Sequence, residues 1–366
     1  MIDETTDLSG VGWPAACPIP TTMTAVTFRQ FGGPEVLRAE QIETPTPAPG
    51  EVLIKVGAVS VGRLLDLVAR SGKHPYAKFA FPHILGAEHA GVIAGLGEGV
   101  DGFSIGDRVA TFPVITCATC EFCLVGYTEL CVSLQIIGTH RQGAYAEYIA
   151  VPSEVVNLVP EGMTPTEAVA VALAGAVALN QFDRAGLRPG DRVIVQGATS
   201  ALGSTTALMA RHLGAEVIVT SRHEDKRERL REFGFDVVLD ATSESFPADV
   251  RQAFGGRGAK IIIDNLGESR VWANGMQALD VGGTVVSSGA FLGHDVTISL
   301  QRLYSSGQRV IGVRTGNLGS ARRLWNEVRG GFRSPTDRTF SLADAADAHR
   351  YVESNSNFGR VSLVVP

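Results

Sequence analysis

Four of the five cysteines fall within fifteen positions, as Cys117-x2-Cys120-x2-Cys123-x7-Cys131. Thiolates at this spacing sit on one short lobe and can close a tetrahedral shell around Zn2+. Four sulfurs leave no open position for water, so the metal they predict is structural. Four buried thiols without metal are the alternative. Such crowding fits a metal site in a reducing compartment better than a disulfide framework. Cys17 stands apart from the group and reads as a bystander thiol.

A second stretch with chemistry in it runs from Arg192 to Arg222. Arg192–Gln196 reads as a buried strand and Gly197 as a tight turn. Ser200–Leu213 carries small and apolar residues at helical spacing, and Ala215–Thr220 is a second β-branched run. Strand, glycine turn, helix, strand is a βαβ unit whose turn presents backbone N–H groups at a helix N-terminus. Gly197, Ser200, Ala201 and Leu202 would hold a pyrophosphate there, with Ser200 where a middle glycine is usual.

The second strand of that unit ends Thr220-Ser221-Arg222, with no carboxylate until Glu224. An acid at this point binds the ribose hydroxyls of NAD and repels a 2′-phosphate. Ser221 and Arg222 instead offer charge-assisted hydrogen bonds to a phosphate, with Lys226 within reach. The expected cofactor is therefore NADP(H). The alternative is that Arg222 is a solvated charge at a helix start.

These sites need elements to hold them. Residues 1–22, with three prolines and no periodicity, read as an N-terminal extension. From 23 to 173 short strands recur at Thr24–Phe28, Glu51–Val59, Ala90–Leu96, Arg108–Phe112 and Tyr145–Val151, a small barrel-like domain. Alternation in Glu51–Val56 predicts a strand with one wet face. From 174 to 312 six strand-like segments alternate with helical ones, which predicts a doubly wound parallel sheet. Residues 313–366 are too few to fold alone and are expected to return to the first domain. The fold class is α/β.

A net charge of −6 argues against nucleic acid or an anionic membrane as a partner. The first residues, MIDETTDLSG, lack the basic and apolar regions of a signal peptide, and no apolar run reaches the ~20 residues that span a bilayer. The expected setting is cytoplasmic and the expected partner a small-molecule substrate.

Gly86-Ala-Glu88-His89-Ala-Gly91, Gly106-Asp107-Arg108-Val109, the cysteine lobe, Gly143-Ala-Tyr145-Ala-Glu147-Tyr148 and Gly197-Ala-Thr-Ser-Ala-Leu-Gly203 together resemble the medium-chain dehydrogenase/reductase superfamily, over about Thr24–Val365. The resemblance implies a GroES-like β-barrel catalytic domain plus a Rossmann domain, and a homodimer or higher homo-oligomer. It also implies that Gly289, Ala290 and Val313 bring backbone groups near a nicotinamide, and that Asn265 approaches the adenosine side.

The departures from that family bear on the reaction. Its zinc alcohol dehydrogenases hold a catalytic zinc through a Cys after the second barrel strand, a His before the Glu of a G-H-E pattern, and a third ligand before the Rossmann domain. Here those places read Gly62 or Arg63, Ala87, and Ala172 to Val177. A structural zinc without a catalytic zinc is expected. Without that Lewis acid, reduction of an activated C=C or a quinone is the leading reading, with Arg63, His89 and His140 as candidate donors and Arg141 and Tyr145 behind them. A ketone or alcohol oxidoreductase using side-chain acids or an unusual metal site at Asp66, Glu88 and His89 is the alternative. A non-catalytic NADPH-binding protein is the third.

Overall fold

The computed structural model describes residues 11–15, 17–75, 77 and 79–366, so residues 1–10 of the expected extension lie outside the described residues. The chain divides into two units. One is Met1–Leu173 with Asn317–Gly331 and Pro335–Pro366; the other is Ala174–Gly316 with Phe332–Ser334.

The first unit begins with β1 (Thr22–Phe28), β2 (Arg38–Glu43), β3 (Glu51–Ser60), β4 (His83–Ile84), β5 (His89–Leu96), β6 (Arg108–Thr111), β7 (Val114–Ile115), α1 (Glu121–Leu124), β8 (Gln135–Ile136), β9 (Tyr148–Pro152) and β10 (Val156–Leu158). β3 is central: β5 pairs with one edge, while β9 pairs with Glu51–Lys55 and a C-terminal strand with Ala58–Ser60 on the other. That pairing corrects the expected wet face. Only Glu51 and Lys55 of β3 are half-buried, because both faces are covered: Val52, Leu53, Ile54, Val56 and Val59 lie in the core, and Pro14 and Pro165 pack at Gly57. Ahead of β1, Trp13 Nε1 donates to Met163 O at 2.7 Å, tying residues 11–15 to the barrel.

Helix α2 (Pro165–Ala185) leads into the second unit, with β11 (Arg192–Val195), α3 (Ala201–His212), β12 (Glu216–Thr220), α4 (Glu224–Glu232), β13 (Val237–Leu239), α5 (Phe246–Ala253), β14 (Ala259–Asp264), α6 (Ser269–Ala278), β15 (Leu279–Ser287), α7 (Leu300–Ser305) and β16 (Arg309–Gly312). The strands are all parallel, in the order β13-β12-β11-β14-β15-β16. Order reverses at β11, and ligands of such sheets bind beyond the strand ends at that switch point. Ile194, Ile218, Ile262, Phe246 and Trp272 fill the space under α5 and α6.

The chain then forms α8 (Leu318–Arg329), β17 (Thr336–Ser341), α9 (Ala345–Glu353) and β18 (Arg360–Val364). β18 runs antiparallel to β3, with Ser362 opposite Ser60, so the C-terminal segment completes the barrel sheet of the first unit. Among the described residues, no helix is long and apolar enough to cross a membrane.

Candidate functional site

The cysteine lobe hangs between the paired strands β7 and β8. Ala118 takes φ of +57°, a left-handed turn that folds the first two cysteines toward each other. The four Sγ atoms all lie within 4.8 Å of one another, with Cys120–Cys123 and Cys117–Cys131 sulfurs 3.5 Å apart. Tetrahedral zinc at about 2.3 Å from each sulfur needs sulfurs about 3.8 Å apart, so the donor set fits. Backbone N–H groups of Cys117 and Cys120 donate to Cys131 Sγ and Cys117 Sγ, both at 3.3 Å. Hydrogen bonds from the Thr119 and Cys120 backbone bring the Cys117 thiol down to about 6, toward the thiolate that a metal requires.

Arg63 opens a short π-helical turn, Arg63–Val68, with Gly62 as its N-cap. Asp66, 1% exposed, accepts from the Gly62 N–H at 2.6 Å and the Gly86 N–H at 2.9 Å, locking two loops together. Burial raises its carboxyl to about 7 despite those two donors. Glu88 pairs with Arg360 of β18 at 3.0 Å. Burial raises its carboxyl while Arg360 opposes the shift. Asp66, Glu88 and His89 therefore face different partners. Among the described residues, only the four cysteines gather three or more potential metal ligands.

The three expected donors separate. His89 has no exposed surface; Nδ1 lies 3.2 Å from Ala87 O and Nε2 2.9 Å from Thr111 Oγ1. Burial lowers it to about 4, so the ring is neutral and braces β5 against β6, with neither nitrogen left for a substrate. Arg63 is half-buried and donates to Val352 O at 2.5 Å and Asn355 Oδ1 at 2.8 Å at the end of α9. His140 is exposed, and its Nδ1 accepts the Ile136 N–H at 3.1 Å. That bond places the proton of the neutral ring on Nε2. The loop carrying His140 is tied to the segment that holds Ala87, through Gly143 N–H to Ile84 O and Ala144 N–H to Gly86 O. Arg141 pairs with Glu51, and the buried Tyr145 hydroxyl meets His349 Nε2 at 3.0 Å.

In the second unit Gly197, at φ +69°, turns the chain from β11 into α3. A Cβ on Gly203 would lie 2.2 Å from Gly197 O, so only glycine permits this approach of helix to turn. Ser200 is the N-cap: its hydroxyl accepts the Gly203 N–H at 3.0 Å, a cap worth about 1 kcal/mol. Ala201 and Leu202 form the first turn of α3. Beyond β14, Asp264 Oδ1 accepts the Leu266 and Gly267 N–H groups and shapes the loop. Asp264 Oδ2, Asn265 Nδ2 and Ser288 Oγ are buried with no partner among the described residues. Ser288 N–H donates to Asp264 O, so these three atoms belong to one region at the switch-point end of the sheet. A dinucleotide fits that need, since ribose hydroxyls can donate to Asp264 Oδ2 while ribose and phosphate oxygens can accept from Asn265 Nδ2 and Ser288 Oγ. Gly289 packs on the Asn265 backbone, Ala290 is exposed, and Val313 N–H donates to Ser287 O.

At the end of β12, Ser221 is buried and Arg222 exposed, with Arg222 Nε 3.0 Å from His223 Nε2. Lys226 is half-buried on α4. The sequence reading missed Arg227, which donates to Ser221 O at 2.9 Å and pairs with Glu224 and Asp240. It also missed Gln181 and Thr206, which join Asn265 in a buried hydrogen-bonded row. The available signal was the polar pair Asn180-Gln181 within the otherwise apolar run Ala168–Phe182 of α2.

Residues 48–161 match the alcohol dehydrogenase GroES-like domain, and residues 201–330 the zinc-binding dehydrogenase domain. L-galactonate-5-dehydrogenase of Escherichia coli (strain K12) is 33% identical over 273 residues, covering 75% of this chain and 78% of that protein. The crystal structure of an NAD-dependent alcohol dehydrogenase superposes with a TM-score of 0.87 at 33% identity, over 94% of this chain and all of that one. A mycobacterial quinone oxidoreductase superposes with a TM-score of 0.77 at 26% identity, over 93% and 99%. The GroES-like sheet closed by β18, the β13-β12-β11-β14-β15-β16 order and these matches lead to one conclusion: the chain belongs to the medium-chain dehydrogenase/reductase superfamily, as a zinc-type alcohol dehydrogenase-like oxidoreductase.

Proposed function

We propose that the protein is an NADPH-dependent reductase that delivers hydride to an activated C=C or a quinone without a catalytic metal, and that its cysteine lobe carries a structural Zn2+. One observation carries the reaction class. Gly62 or Arg63, and Ala87, take two of the places where the resemblance implies catalytic-zinc ligands, and the neighbouring acids are committed to Gly62, Gly86 and Arg360. When bound, the reduced nicotinamide supplies the hydride. The chain then has to stabilise the negative charge that moves to the conjugated oxygen. His140 is one candidate for this, an exposed ring whose Nδ1 accepts the Ile136 N–H. Arg63 is a second donor, its guanidinium fixed by the end of α9. His89 acts as a brace.

The cofactor reading rests on Ser221, Arg222 and Lys226, with Arg227 holding the Ser221 carbonyl. No carboxylate takes the first place after β12. In this reading Gly197, Ser200, Ala201 and Leu202 hold the pyrophosphate, and Gly289, Ala290 and Val313 line the nicotinamide.

A second reading, oxidation of an alcohol or polyol, is favoured by the likeness to L-galactonate-5-dehydrogenase and to an NAD-dependent alcohol dehydrogenase. NADPH oxidation measured against enones, quinones and ketones, with metal content determined on the same sample, separates the two. Enone or quinone turnover with about one zinc per chain supports the first; ketone turnover that depends on a second zinc supports the other.

A further inference from the structure

We propose that Thr206 and Gln181 form a positioning pair that presents the Asn265 carboxamide to the sugar–phosphate stretch of the dinucleotide. The inference rests on the proposed nicotinamide dinucleotide and goes beyond it by assigning roles to two residues outside the phosphate turn. Thr206 lies on α3, Gln181 on α2, and Asn265 directly after β14. The Thr206 hydroxyl donates to Gln181 Oε1 at 3.2 Å, and Gln181 Nε2 donates to Asn265 Oδ1 at 3.0 Å. Thr206 and Gln181 have no exposed surface, and Asn265 is 5% exposed.

The row has a direction. With the Thr206 hydroxyl donating to Gln181 Oε1, the Nε2 end of the same amide donates and Asn265 meets it with oxygen. Nδ2 of Asn265 is then directed away from Gln181, buried and without a partner among the described residues. A buried amide donor left unmet costs about 1–3 kcal/mol, so the fold holds it there against a penalty that a ligand acceptor removes. Backbone placement agrees. Asn265 follows the strand beside β11, across the switch point from Gly197, and Gly289 packs against its backbone with no side chain to cover it. Ribose hydroxyls and phosphate oxygens are the acceptors that a dinucleotide offers along such a crevice.

The test is equilibrium binding of NADPH and NADH, followed by calorimetry on the full chain, so that turnover does not enter the readout. Asn265→Ala and Gln181→Leu should each weaken binding of the preferred dinucleotide about five- to tenfold, and Thr206→Val about two- to threefold. The Gln181→Leu/Asn265→Ala double variant should bind no more weakly than Asn265→Ala alone, because Gln181 acts through Asn265. Fully additive losses in the double variant overturn the positioning role. Should Gln181→Leu fail to fold, Thr206→Val decides, and binding equal to the parent overturns the proposal. A parent protein that binds neither dinucleotide overturns the cofactor reading itself, which the variants then do not rescue.

Discussion

Glu88 and Arg360 meet at 3.0 Å with side chains only 3% and 7% exposed, joining the start of β5 to β18. A buried ion pair adds little net stability, but removing one partner strands the other charge in low dielectric. Arg360→Met should therefore cost about 3–5 kcal/mol in urea denaturation. Glu88→Leu with Arg360→Met should recover most of that loss. A double variant as unstable as the single would contradict the assignment.

Asp66 gives a pH signature. Its carboxyl is raised by burial to about 7 from an ordinary 3.8, so the native state holds this proton over a range where the unfolded chain has released it. The unfolding free energy that depends on Asp66 is fully present below the unfolded value, falls as pH rises above it, and is lost once pH passes the folded value. Asp66→Asn removes the ionisation. Urea titrations from acid to neutral pH should show the parent's advantage over the variant shrinking as pH rises. A constant difference would place the carboxylate outside the buried network.

The lobe should hold about one zinc per chain, since four thiolates fill a tetrahedral shell. Chelation or Cys120→Ser should lower the melting temperature and raise proteolysis between β7 and β8, while leaving dinucleotide binding near the parent value. Metal-free protein with an unchanged melting curve would show that the sulfurs pack without metal.

Ser221→Asp sets a carboxylate beside the place assigned to the 2′-phosphate. NADPH affinity should fall about tenfold or more and NADH affinity hold or improve, because charge-assisted bonds to the phosphate are replaced by repulsion. Binding titrations with both cofactors measure this, and an unchanged ratio removes the argument from Ser221 and Arg222.

The parallel sheet and the lobe were legible because local pattern determines them. Arg192–Val195 is an apolar strand run, Gly197 and Gly203 mark the turn, and cysteine spacing needs no tertiary information. β2 was not legible: Arg38–Glu43 has few apolar residues and takes its order from pairing with β1. His89 was misread for a similar reason. Beside Glu88 in a glycine-bounded motif it reads as a candidate donor, yet the pairing of β5 with β6 supplies Thr111 and closes it into the core. Arg63 likewise takes its direction from Val352 and Asn355, nearly three hundred residues downstream.

The carbon that receives the hydride separates C=C reduction from carbonyl reduction. Reaction of a conjugated enone with NADPH deuterated at C4 of the nicotinamide, followed by NMR of the product, locates the label. Deuterium on the carbon β to an intact carbonyl is the predicted result. Deuterium on a carbinol carbon, with the double bond retained, would contradict the account and return the protein to alcohol and ketone chemistry.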